Sequence, residues 1–140
     1  MNDKCIKYII VSLLFFASVA GYAATDQVAV EPEILNVTEM YFAALSSGDS
    51  QALLSLLAED ELRGIEGQLR DPAYSQLLVN RYGTARLEIV DSGVQDELYT
   101  VDIIIWMNDI ESIRERLILR AIDSPDGSSY RIVSREAFAY

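Results

Sequence analysis

The sequence predicts an α+β domain in which helices come first and an antiparallel sheet follows. Three observations predict it. Apolar residues recur at helical spacing between residues 33 and 82. The period then changes to two from residue 84 onward. Turn signals split that second half into four segments short enough to pair in sequence order as a meander. The helices would cover one face of the sheet.

Each element has its own reason. Ile34, Val37, Tyr41, Ala44 and Leu45 make one helical stripe, widened by Leu35 and Phe42, and Ser46-Ser47-Gly48 ends it. Asp49 or Ser50 caps a second helix carrying Leu53, Leu54, Leu56 and Leu57, and Glu59-Asp60-Glu61 is expected to close the pair. Residues 62–71 are ambiguous, because Gly64 and Gly67 weaken a helix. Asp71-Pro72 opens a third helix over 72–82, with Gly83 as its stop. Strands are expected over 84–90, 97–107, 111–122 and 129–140. Asn108-Asp109 and Ser124-Pro125-Asp126-Gly127 supply turns.

The N-terminal stretch has the order of a secretory signal. Lys4 and Lys7 precede an apolar run from Tyr8 to Ala20, and Gly21-Tyr22-Ala23 offers a cleavage site. Residues 1–23 are therefore read as a signal peptide and 24–140 as one domain, periplasmic or secreted. The apolar run is short for a span of about 20 residues, so no membrane anchor is expected after cleavage.

Of 11 basic and 22 acidic residues, the signal removes Lys4, Lys7 and Asp3. Every remaining cation is an arginine, and the domain carries a large net negative charge that disfavours nucleic acid. The chain has no His, and its one cysteine, Cys5, leaves with the signal. Ser-His-Asp and Cys-His catalysis, Cys/His zinc sites and disulfides are excluded for the domain. No cofactor or metal is expected. Gly64-Ile65-Glu66-Gly67 lacks the rest of a phosphate loop.

The surviving chemistry lies with Asp, Glu, Tyr, Arg, Ser and Thr. Tyr41 is a candidate hydrogen-bond donor into a pocket, or a core aromatic with its hydroxyl at the edge. Asp102, in the most apolar strand, is either a buried carboxylate with a raised pKa or an outward Asp paired with an arginine on the next strand. Trp106, Arg114, Arg116 and Arg120 are candidate binding residues on one sheet face. Arg131 and Arg135 share parity on the last strand and, with the pairing in register, would extend that arginine face. A protein partner or a second copy is the expected occupant of that face.

Tyr41-Phe42-Ala43-Ala44-Leu45-Ser46-Ser47-Gly48-Asp49, followed by Leu53 to Asp60, resembles the opening of the nuclear-transport-factor-2-like superfamily, which includes ketosteroid isomerase and polyketide cyclases. The resemblance implies a cone: a curved sheet wrapped on helices, with a pocket at the wide end and a short strand pair near residues 62–70. It places Tyr41 where ketosteroid isomerase has its oxyanion-stabilising tyrosine. That enzyme's general-base position falls on Ile65, beside Glu66. The function read from this is an exported, non-catalytic binding or assembly domain acting through its sheet face or cone pocket. The alternative is an acid–base enzyme or carrier of a small apolar ligand, using Tyr41 and one carboxylate.

Overall fold

The computed structural model describes residues 31–125 and 127–138; the signal-peptide reading lies outside them. Helices α1 (Pro32–Ser47), α2 (Ser50–Leu56), α3 (Glu59–Leu69) and α4 (Pro72–Tyr82) precede strands β1 (Arg86–Gln95), β2 (Leu98–Trp106), β3 (Ser112–Ser124) and β4 (Gly127–Ala137). The four strands form one antiparallel sheet in the order β1-β2-β3-β4. Its inner face meets the helices through Val101, Ile103, Ile105, Leu117, Leu119 and Ile132, each buried against Ile34, Tyr41, Leu53 and Leu57. Among the described residues no helix is long and apolar enough to cross a membrane.

The helix–helix elbow follows the expected chemistry. Gly48 ends α1 in the left-handed region at φ +67°, and its N–H and that of Asp49 bond back to Leu45 and Ala44 carbonyls. The Asp49 carboxylate then accepts from Ala52 N at 3.0 Å and caps α2. Asp71 does the same for α4, accepting from Ala73 N at 2.9 Å, with Pro72 in the first turn.

Three expectations are corrected. Residues 59–69 are helix, so Glu59-Asp60-Glu61 does not close the helical pair; it opens α3, where first-turn carboxylates favour the helix N-terminus. Leu62, Ile65 and Leu69 recur at helical spacing toward the core and override the two glycines. Where the resemblance implies a short strand pair, the described residues hold one parallel bridge, Leu57 to Ile132, with Ala58 N bonding Ile132 O at 3.0 Å.

The third correction concerns the sheet. Ile132 pairs with Leu119, yet Ser134 pairs with Ile118, so Val133 is an extra residue in β4. A bulge of this kind reverses side-chain parity beyond it. Arg131 stays opposite Arg120 on the outer face, while Arg135 lies opposite Leu117 and turns inward. The two arginines therefore do not share a face. A second bulge, at Val90, shifts β1 against β2, so that Asp91 stands opposite Asp102.

The outer face carries a polar row across all four strands: Asp91, Asp102, Arg116 and Glu136. Arg116 makes a two-pronged fork to Asp102, at 2.6 Å from Nε and 2.8 Å from Nη2. Asp102 thus points to the outer face and is paired there, while the residue itself is buried beneath the arginine. A double-mutant cycle of Asp102→Asn with Arg116→Met is expected to give a coupling of about 0.5–1 kcal/mol, since the fork is two-pronged but the arginine is nearly half-exposed. Urea titration of the four proteins measures it, and full additivity would mean the fork adds no stability.

Candidate functional site

Four polar side chains from four elements converge on the inner side of the sheet. Tyr41 comes from the middle of α1, Glu61 from the first turn of α3, Glu115 from β3, and Arg135 from β4 just past its bulge. Arg135 Nε donates to Glu61 Oε1 at 2.5 Å, and Nη1 donates to the Tyr41 hydroxyl at 2.8 Å. Nη1 also lies 3.7 Å from Glu115 Oε1. Glu115 shares the parity of Ile113 and Leu117, so it points into the apolar interior by plain alternation.

The electrostatics follow from this crowding. Tyr41 is 1% exposed. Burial raises its pKa above the usual phenol range, with Glu115 pushing the same way and Arg135 opposing. The hydroxyl therefore stays protonated while it accepts from Arg135. Burial also raises the Glu115 carboxyl, and Glu61 adds to the rise; Arg135 and the Tyr41 hydroxyl draw it back down. Glu115 Oε2 is buried and makes no hydrogen bond among the described residues. For Arg135, burial opposes the charge, but Tyr41, Glu115 and Glu61 outweigh it and hold the guanidinium charged.

A recess of about 170 Å³ opens beside this cluster. Leu45, Leu53, Leu57, Ile65 and Leu78 form its apolar wall, and Tyr41, Tyr74, Tyr82 and Arg135 its polar lining. Tyr74 also has its pKa raised, first by burial and then by Tyr82, while Arg135 opposes. The volume is that of roughly six waters at liquid density. The arrangement offers hydrogen-bond donors to an acceptor oxygen, set in an otherwise apolar wall. Among the described residues no group of three or more His, Cys, Asp or Glu side chains is placed to hold a metal.

The residues singled out from sequence divide between the two faces. Tyr41 is part of the inner cluster, bonded to Arg135. Asp102, Trp106, Arg116 and Arg120 are not part of it. Trp106 Nε1 donates to Glu88 at 2.7 Å, with the Arg86 guanidinium 5.9 Å from its ring. Arg120 reaches Glu59 at 2.7 Å, and Arg114 also has an interaction within the chain. Glu61, Glu115, Tyr74, Tyr82 and inward-facing Arg135 were not foreseen. Glu115 alone carried a visible signal: a charge at an apolar-parity position between Ile113 and Leu117.

No protein-family model matches the sequence, and no curated protein matches it significantly. Solved structures are similar in shape. A SEC-C motif containing protein from Rhodopseudomonas palustris is 16% identical, over 74% of this chain and 77% of that one, at a TM-score of 0.49. An NTF2-like protein of unknown function from Silicibacter pomeroyi is 16% identical, over 74% and 89%, at 0.44. A provisionally named NTF2-like transpeptidase from Campylobacter jejuni is 13% identical, over 75% and 99%, at 0.47. The chain has the α+β order expected from its sequence, helices leading a four-stranded antiparallel meander that packs on them through one face.

Proposed function

We propose that this is an exported, non-catalytic binding domain that takes a small, largely apolar molecule into the inner recess. The observation that carries the proposal is the recess itself: an apolar wall that ends on the Tyr41 hydroxyl and the Arg135 guanidinium. Arg135 is held in place by Tyr41 and Glu61, so an acceptor on the ligand meets a guanidinium that is already oriented. Partner binding through the outer face, around Trp106, would draw on cations that already have carboxylate partners within the chain. The recess is the better supported of the two surfaces.

The acid–base alternative has one observation in its favour, Glu115. Its carboxyl holds a proton more tightly than usual beside the Tyr41 hydroxyl. In that reading Glu115, not Asp102, is the carboxylate that works with Tyr41.

Filling the recess tests the proposal. Ile65→Trp should remove binding of small ketones and alcohols that raise the melting temperature of the wild-type domain. Equal shifts in wild type and Ile65→Trp would place binding elsewhere. Glu115→Gln separates the two readings: a binding domain keeps its ligand, and an enzyme loses turnover.

A further inference from the structure

We infer that α3 is the door of the recess, latched by the Glu61–Arg135 ion pair. The inference rests on the binding reading for its purpose alone, because the opening itself can be measured without a ligand.

α3 stands over the recess: Ile65 is part of the wall, and Glu61 grips the arginine that forms its polar end. Little else holds the helix down. Of its eleven residues only Leu69 is buried, with Glu61, Leu62, Ile65 and Glu66 partly so. In α1, by contrast, Ile34, Val37, Thr38, Tyr41, Ala44 and Leu45 are all buried. Regions with few buried contacts are those that open locally at low cost.

The helix is also weak in itself. Gly64 and Gly67 face open space; nothing lies within 4 Å of where a Cβ would sit. No packing requires glycine there, and each weakens the helix by about 1 kcal/mol relative to alanine. No side chain caps the N-terminus at Ala58. The entry residue Glu59 sits at φ +53°, a left-handed conformation that costs a non-glycine residue about 1–2 kcal/mol. Straightening Glu59 relieves that strain and swings α3 away from the sheet. At the other end, Arg70 and Asp71 separate α3 from the independently capped α4, which gives a second bending point.

Two ion pairs oppose the swing. Glu61–Arg135 is 14% and 28% exposed and lies against the core, whereas Glu59–Arg120 is nearly half-exposed on both sides. The sheltered pair is the latch, since exposed pairs contribute little. Opening breaks the Arg135–Glu61 bond and uncovers the polar end of the recess in the same movement.

The test places a thiol behind the door. Leu53→Cys, in a chain carrying Cys5→Ser, puts sulfur in the recess wall; Ile34→Cys puts one in α1, fully buried and outside the recess. Under native conditions Ellman's reagent should label Cys at position 53 at least tenfold faster than Cys at position 34, the factor given by about 1.4 kcal/mol of cheaper opening. Glu61→Gln should speed labelling at 53 several-fold and leave 34 unchanged. Gly64→Ala with Gly67→Ala should slow it. Equal rates at both positions, or α3 substitutions that change both rates together, would mean global unfolding and overturn the door. If the cysteine variants do not fold, amide exchange in wild type decides: faster exchange over 59–69 than over 34–45 supports it, and equal protection overturns it.

Discussion

Arg135→Met is expected to destabilise the domain by about 3 kcal/mol at neutral pH, the low end for breaking a buried ion pair, because the side chain keeps 28% of its exposure. Methionine retains much of the volume, so the loss is electrostatic. Glu61 and Glu115 would face each other without a cation, and the Tyr41 hydroxyl would lose its donor. The pH dependence follows from Glu115. Its folded pKa lies above the ordinary carboxylate value, so the folded state binds its proton more tightly than the unfolded chain does. Stability from this group is fully present below the unfolded value of about 4.3. It is lost as pH rises through the folded value. Removing Arg135 takes away the main influence holding that pKa down, so the cost of the substitution should grow from pH 5 to pH 8. Urea denaturation at both pH values measures it. A cost that shrinks toward pH 8 would contradict the assigned environment of Glu115.

Gly48→Ala is expected to cost about 2–4 kcal/mol, combining a left-handed backbone with overpacking. At φ +67° the new Cβ would lie 2.5 Å from the Ser75 carbonyl oxygen and 2.8 Å from Val79 Cγ2. Both belong to α4, and the Ser75 hydroxyl already bonds the Gly48 carbonyl, so the backbone there has little freedom to retreat. The melting temperature should fall by on the order of 10 °C for a domain of this size. A fall of only a degree or two would mean that α4 yields easily at the elbow. In that case α4 would be a looser wall for the recess than its contacts suggest.

Much of the fold was legible because local chemistry and tertiary packing agree over most of the chain. The α1 stripe, the Asp49 and Asp71 caps and the interior faces of β2 and β3 follow from spacing alone. α3 was obscured because glycine propensity and tertiary packing pull in opposite directions there, and packing by Leu62, Ile65 and Leu69 prevails. The candidate site was only partly legible. Tyr41 was visible through the helix-junction motif. Arg135 was misplaced because period two holds only until a bulge intervenes, and Val133, an ordinary strand residue, gives no local sign that it is the extra one. Once β4 shifts by one residue, an expected outer arginine becomes the centre of the inner cluster. Glu115 and Glu61 then find their partner.

In the proposed function the ligand enters the inner recess and does not dock on the outer sheet face. Amide and arginine side-chain NMR spectra, recorded while a panel of small neutral ketones, alcohols and phenols is titrated in, test this directly. The expected result is a set of binders that shift the Arg135 Nε–H signal and the amides of Tyr41, Leu53, Ile65 and Leu78, with the shifts abolished in Ile65→Trp. Binders that instead shift Asp102, Trp106 and Arg116, or a panel that shifts nothing in either protein, would contradict it.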